Sequence, residues 1–338
     1  MTGEDFSALL KRVGAGGTLD AEQSARAFGA IMAGEVNEIR IAALVTALAV
    51  RGPTVDELTG AVRAMRAKMT SIEANPYAID LCGTGGDGIG TLNISTACAF
   101  VVAACGVPVA KHGNRSMSSK SGTADCLEAL GVNIDLPPAG ASRCLREAGL
   151  CFLFAQAYHP AMKYAAPVRK ELGFRTIFNL IGPLSNPARV RRQLVGVYDK
   201  AWCVPLADVL GRLGAERAWV VNGDGLDELT VSGATHVAVL ENGKVTARDV
   251  TPEDAGVKRW PLEALRGGDC THNAAALTRL FDGETGAYRD IGLLNSAAAL
   301  IVAGKAKDLR EGAALAAEAI DKGAAKAKLE KLIAVSKP

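Results

Sequence analysis

The chain has 338 residues, 49% hydrophobic and 22% charged, with 38 Lys plus Arg against 36 Asp plus Glu and a formal net charge of +2. This composition excludes a disordered chain and leaves no global basic field for coating a nucleic acid or a membrane surface. No apolar stretch reaches the ~18 residues of a membrane span; the longest, over 97–110, contains Gly106 and Pro108.

Length predicts about two domains at ~150 residues each. The chain up to residue 72 reads as helices only. Phe6, Leu9, Leu10 and Val13 follow the i, i+3, i+4, i+7 pattern. Asp20 with Gln23 and Thr54 with Glu57 are spaced as capping boxes, and each opens an amphipathic stretch. Between them, Asn37 opens a helix that stops at Gly52-Pro53. It is apolar nearly all round, so it should be covered on both sides, by the main domain or by another subunit. From Asn75-Pro76 onward, short apolar runs alternate with helical ones. Ala78–Leu81, Pro108–Ala110, Cys151–Phe154, Leu194–Val197 and Ala218–Val221 read as strands, with helices expected over 95–105, 123–131, 160–172 and 201–213. Such alternation argues an α/β domain over 73–338 with a mostly parallel sheet. His236–Leu240 and Lys244–Val250 flank Asn242-Gly243, a hairpin signal, so an antiparallel element is expected near one edge. The tail from Asn273 is helical and Ala-rich.

The 8 cysteines form no C-x-x-C and the 4 histidines lie far apart, which excludes zinc-ligand spacing. With Glu4 and Asp5 and no apolar core at the N-terminus, the expectation is a cytoplasmic protein with reduced thiols.

Four segments carry chemistry. Asp80-Leu-Cys-Gly-Thr-Gly-Gly-Asp-Gly-Ile-Gly-Thr91 follows a strand and leads into Asn93-Ile94-Ser95-Thr96 at a helix start. Glycines expose backbone N–H groups there and the helix dipole favours an anion, so this reads as a phosphate cradle. Gly83-x-Gly85-x-x-Gly88 also matches the dinucleotide fingerprint, but Lys111 stands near where that fingerprint needs an acid. The second segment, Lys111 to Lys120, holds three Lys or Arg, one His, three Ser and no acid. It reads as a polyphosphate site or as a solvated basic loop. In the third, Asn222-Gly-Asp-Gly-Leu-Asp227-Glu228, adjacent carboxylates suggest Mg²⁺ held together with substrate oxygens, or an exposed acidic turn. The fourth runs from Tyr158-His159-Pro160 through Arg169 to Asn179 and Asn186. Arg169 suits a bidentate pair with a small carboxylate, or is a helix-surface residue.

Together, in this order, the four segments resemble those of the anthranilate phosphoribosyltransferases. The resemblance runs from about Leu9 to beyond Asn295. It implies a small N-terminal helical domain, 1–72, joined by mid-chain helices near 160–182. A larger α/β domain of the nucleoside phosphorylase/phosphoribosyltransferase-like fold would follow, and the chain would form a homodimer through its helical parts. Carried over by position, the site for 5-phosphoribosyl 1-pyrophosphate (PRPP) would comprise Gly83, Gly86, Asp87, Thr91, Asn93, Ile94, Ser95, Thr96, Lys111, His112, Gly113, Asn114, Arg115, Ser116, Met117, Ser118, Ser119 and Thr123. Anthranilate would meet Gly83, Asn114 and Arg169, with His112 nearby. Two Mg²⁺ ions would be held by Ser95, Asp227 and Glu228. The implied reaction is phosphoribosyl transfer to the amine of anthranilate in tryptophan biosynthesis, with no nucleic-acid or membrane partner. It needs electrostatic stabilisation of the leaving pyrophosphate and positioning of two substrates more than a strong base. Two relatives of the same fold are the alternatives: a pyrimidine nucleoside phosphorylase and a non-catalytic nucleic-acid-binding protein.

Overall fold

The computed structural model describes residues 3–86, 88–115 and 120–337; Asp87, Ser116, Met117, Ser118 and Ser119 lie outside the described residues. Four helices come first: α1 (Gly3–Gly14), α2 (Ala21–Met32), α3 (Glu38–Arg51) and α4 (Val55–Lys68). Both capping boxes form, and the Asn37 side chain accepts the Arg40 N–H. The second box does more than cap. Fully buried Glu57 accepts the Leu19 N–H at 2.9 Å and an Arg51 N–H at 2.5 Å, tying the α1–α2 loop to α3 and α4.

The chain then alternates as β1 (Ile79–Gly83), α5 (Ile94–Ala104), β2 (Val109–Gly113), α6 (Thr123–Ala129), α7 (Pro138–Ala148) and β3 (Leu150–Phe154). Three short helices follow: α8 (Ala155–Tyr158), α9 (Ala166–Leu172) and α10 (Ile177–Ile181). Alternation resumes with β4 (Arg192–Gly196), α11 (Cys203–Arg212), β5 (Arg217–Asn222) and the hairpin β6 (Thr235–Glu241) and β7 (Lys244–Val250). Helices α12 (Cys270–Phe281), α13 (Ala287–Val302), α14 (Leu309–Asp321) and α15 (Ala324–Ser336) close the chain. The sheet order is β3-β2-β1-β4-β5-β6-β7. All pairs from β3 to β5 are parallel, and β6 and β7 are antiparallel, as the Asn242-Gly243 turn requires. Because β1 lies between β2 and β4, its connections diverge. A crevice therefore opens beyond the carboxyl ends of β1 and β4, where open sheets bind ligands.

One sheet face packs with α5, α13 and the C-terminal helices. The other shares its core with the N-terminal helices, α9, α10 and α11; Phe28 of α2 meets Phe178 of α10 edge-on, centroids 5.8 Å apart. The architecture is a small helical domain beside a larger α/β domain.

Two local expectations change. The helix over 160–172 is a 3₁₀ turn at Pro160–Tyr164 followed by α9, since Pro167 has no N–H to continue a helix from the preceding turn. The helix over 201–213 starts as a 3₁₀ turn, Lys200–Trp202. Within the single chain one side of α3 stays exposed, with Ile39 at 81% and Val50 at 85%. All eight cysteines are free thiols, and among the described residues no helix is long and apolar enough to cross a membrane.

Candidate active site

Strand β2 carries Lys111 into the interior, where the residue is 2% exposed. Its ammonium donates to the Leu81 carbonyl of β1 at 2.6 Å and to the Ser95 hydroxyl at 3.0 Å, so it sits beneath the junction of the Gly loop and α5. On β1, buried Asp80 accepts the His112 N–H at 3.0 Å and the Asn186 side-chain amide at 2.8 Å. Burial pushes the Asp80 carboxyl up from its usual range, against the pull of the Lys111 charge.

Above them, Gly85 (φ 68°) and Gly86 (φ 76°) turn through the left-handed region that glycine adopts without strain. The loop then reaches Thr91, bridged to Arg266, and Asn93, whose side-chain oxygen accepts from Asn273 at 2.9 Å. Ile94 and Thr96 are buried in the first turn of α5, and the Thr96 hydroxyl meets that of Thr123 at the start of α6, 3.3 Å away. Ser95 also lies in the first turn of α5, where its hydroxyl accepts from Lys111.

The acidic pair arrives from the β5 end of the sheet. Asp227 accepts the Gly85 N–H at 2.7 Å, and Glu228 accepts the Ser95 N–H at 3.1 Å. This is not an exposed acidic turn. The loop is half-buried and lies directly on the strand ends. A Cβ on Gly83 would stand 2.2 Å from a carboxylate oxygen of Asp227, and one on Gly196, its neighbour in β4, 1.5 Å from the Asp227 carbonyl oxygen. Glycine at both strand ends is what lets the carboxylates approach. Gly196 drew no attention in the sequence, although a glycine ending an apolar strand marks close backbone approach. Two carboxylates and one hydroxyl fit Mg²⁺, which completes its shell from substrate and water. Among the described residues no group of three or more His, Cys, Asp or Glu makes a protein-only cage.

The basic segment divides. His112 is buried, and Gly113 ends β2 against Phe152. The Asn114 side-chain oxygen accepts the Arg115 N–H at 2.8 Å. Arg115 turns onto α6, pairing with Asp125 and Glu128 at 2.9 Å, with its guanidinium over Phe154. Its counter-ions thus come from the protein, so it braces the loop.

Two arginines come from the segment that packs on the helical domain. Arg169 of α9 is half-buried with its guanidinium over Phe178, 5.7 Å from the centroid, and burial lowers its pKa. Among the described residues it makes no ion pair. Arg175 lies over the Gly loop beside Gly86.

Residues 7–69 match the glycosyl transferase family, helical bundle domain, and residues 75–326 match the glycosyl transferase family, a/b domain. The anthranilate phosphoribosyltransferase of Rhodopseudomonas palustris (strain HaA2) is 57% identical over 333 residues, 98% of each chain. That of Xanthobacter autotrophicus is 56% identical, covering 98% of this chain and 97% of its own. This chain belongs to the anthranilate phosphoribosyltransferase family. In structure it is similar to the family's enzyme from Thermus thermophilus, with a TM-score of 0.93 at 45% identity over 97% of this chain and 99% of that one. The Saccharomyces cerevisiae enzyme, solved in complex with PRPP and Mg, shares the fold, with a TM-score of 0.89 at 24% identity over 99% of this chain and 98% of that one. None of these four relatives is a nucleoside phosphorylase or a nucleic-acid-binding protein.

In this member of the anthranilate phosphoribosyltransferase family, two imidazoles meet behind the basic segment. His112 Nε2 and His159 Nε2 are 3.2 Å apart and both residues are 6% exposed. Burial holds His112 well below 6.5 and lowers His159 to about 4. Both are neutral at pH 7, and only one of the facing nitrogens carries hydrogen. A depressed histidine pKa means that the fold binds fewer protons than the unfolded chain. The neutral pair's contribution is therefore complete above the unfolded pKa of about 6.5 and is lost as pH falls toward the folded values. The expected outcome is a urea midpoint that declines from pH 7 to pH 4.5 with a shallower decline in His159→Gln, measured side by side. Parallel declines would show that this pair does not set the acid limb.

Proposed function

We propose that this chain transfers the phosphoribosyl group of PRPP to the amine of anthranilate, giving N-(5-phosphoribosyl)anthranilate and pyrophosphate in tryptophan biosynthesis. One observation carries the reading: the Gly loop, the open end of α5, buried Lys111 and the Asp227–Glu228 pair meet at the switch point of the sheet. Backbone donors, a fixed cation and paired carboxylates within hydrogen-bond reach of one another suit a metal-bound polyphosphate.

In this reading Gly83, Gly86, Asp87, Thr91, Asn93 to Thr96, Lys111 to Ser119 and Thr123 take the phosphates and ribose of PRPP. Lys111 supplies a cation that cannot move away, because its ammonium is already anchored to β1 and to Ser95. Arg169 takes the carboxylate of anthranilate, with Gly83 and Asn114 beside the ring. Ser95, Asp227 and Glu228 would hold Mg²⁺, and the separate approach of the two carboxylates, one to Gly85 and one to Ser95, favours two ions over one. Bound there, magnesium supplies positive charge against that of the departing pyrophosphate. An aromatic amine is neutral at pH 7, so its lone pair needs no strong base to expose it. The chain's part is to align amine and C1 and to stabilise the leaving group. The chain divides at about residue 72 on this reading, with 160–182 counted with the helical domain, which the Phe28–Phe178 contact supports.

The purified chain mixed with anthranilate, PRPP and Mg²⁺ should consume anthranilate fluorescence; a stable signal would overturn the reading. Arg169→Ala removes a hydrogen bond to a charged group, worth about 1.5–3 kcal/mol. At ~1.4 kcal/mol per tenfold, kcat/KM for anthranilate should fall roughly 10- to 100-fold, while KM for PRPP changes much less. Equal losses for both substrates with a lowered Tm would make Arg169 a brace for α9.

Neutralising the acidic pair, Asp227→Asn with Glu228→Gln, should lower turnover and raise the Mg²⁺ concentration needed for half activity. A titration that overlays the wild type would remove both residues from the metal site.

We also propose a homodimer through the uncovered side of α3, where Ile39 and Val50 stand exposed. Light scattering should give twice the 35.0 kDa chain mass. Ile39→Glu with Val50→Glu should shift it to one chain; a wild-type monomer would contradict the assembly.

A further inference from the structure

Arg175 is held in place from three sides. Its backbone is confined between Gly173, the left-handed C-cap of α9, and Thr176, whose N–H bonds the Asn179 side chain at the start of α10. Its guanidinium stacks on Tyr198, Cζ 4.0 Å from the ring centroid. It also lies over the Gly loop, so that a Cβ on Gly86 would stand 3.2 Å from Nε and 3.3 Å from Nη2. The residue is exposed, and among the described residues it makes no hydrogen bond or ion pair. An arginine held by its flat face on an aromatic ring has its in-plane N–H groups unspent. Here they are fixed above a left-handed glycine turn, at a loop where Asp227 already takes the Gly85 amide.

We infer that Arg175 binds the pyrophosphate group of PRPP across the Gly loop, opposite Lys111, and stabilises the negative charge that grows as this group leaves. The inference deepens the transferase reading above and rests on it. As the bond between C1 and the pyrophosphate oxygen breaks, the electron pair leaves with that oxygen. Arg175 stays protonated throughout and donates hydrogen bonds. Its segment also carries Arg169, so two cations on one stretch of chain, packed on the helical domain, would face the two substrates. PRPP carries a second anion, the 5-phosphate, and the choice between the two is testable.

Wild type, Arg175→Ala, Arg175→Lys and Tyr198→Leu, each as the full chain, are compared by kinetics with either substrate varied, by inhibition with inorganic pyrophosphate and with ribose 5-phosphate, and by thermal melts. Arg175→Ala should raise the inhibition constant of pyrophosphate and the KM for PRPP roughly 10- to 100-fold, the range for a lost charge-assisted contact. KM for anthranilate, inhibition by ribose 5-phosphate and Tm should stay near wild type. Arg175→Lys keeps the charge without the fork and should recover part of the loss. Tyr198→Leu, which frees the guanidinium, should show a smaller change in the same direction. Unaltered pyrophosphate inhibition in an active Arg175→Ala enzyme overturns the inference and leaves the transferase reading standing. So does weakening confined to ribose 5-phosphate, or an equal loss for both substrates with a lowered Tm. A wild-type chain without transferase activity overturns both.

Discussion

The site depends on one buried cation. An ammonium withdrawn from water is costly unless its donors are used and a counter-charge is near. Lys111 meets that condition by donating to a β1 carbonyl and to Ser95 Oγ, with buried Asp80 on the adjacent strand. Asp80 in turn spends its oxygens on the His112 N–H and the Asn186 amide. The ends of β1 and β2, the Asn186 turn before β4 and the start of α5 are therefore locked to one another by a single charge and its partners. Ser95 passes this constraint outward, because its N–H donates to Glu228. The fixed cation, the helix end and one carboxylate of the proposed metal site thus share one serine.

A second constraint is steric. The acidic loop reaches the site only because Gly83 and Gly196 leave no side chain at adjacent strand ends. The close approach carries the carboxylates to the Gly85 and Ser95 amides, donors that a phosphate would also use. Carboxylate and phosphate therefore compete for these amides until a cation lies between them. Metal and PRPP binding are coupled by that geometry in the proposed mechanism.

Much of this was legible in the chain. The strands were readable because each is a short apolar run bounded by Gly or Pro, and the hairpin because Asn242 and Gly243 both take positive φ. Strand order was not, since the neighbours β1 and β4 are paired by contacts between distant parts of the chain that no local pattern records. Among site residues, the glycine run and the Asp227–Glu228 pair stood out by composition. Asp80 did not, because a single acid in an apolar strand shows no partner until Lys111 and Asn186 are placed beside it. Arg175 was hidden for a similar reason: its importance lies in Tyr198 and Gly86, both remote in sequence. The ion pairs of Arg115 were hidden in the same way, since Asp125 and Glu128 lie on the next helix.

The electrostatic layout also explains what the site lacks. Its two histidines are pressed together out of water and kept neutral, poorly placed to take a proton and hold it. A reaction that needed a strong base would be badly served here. One that separates charge between a ribosyl cation and a leaving polyphosphate is better served, because what it requires is positive charge that does not reorganise as the bond breaks. Lys111 is immobilised below the Gly loop by burial and Arg175 above it by stacking. The two cations differ in origin, one on the sheet and one on the segment packed against the helical domain. Any movement between those two parts would then open or close the proposed cationic enclosure around the leaving group, while the chemistry of each residue stayed the same.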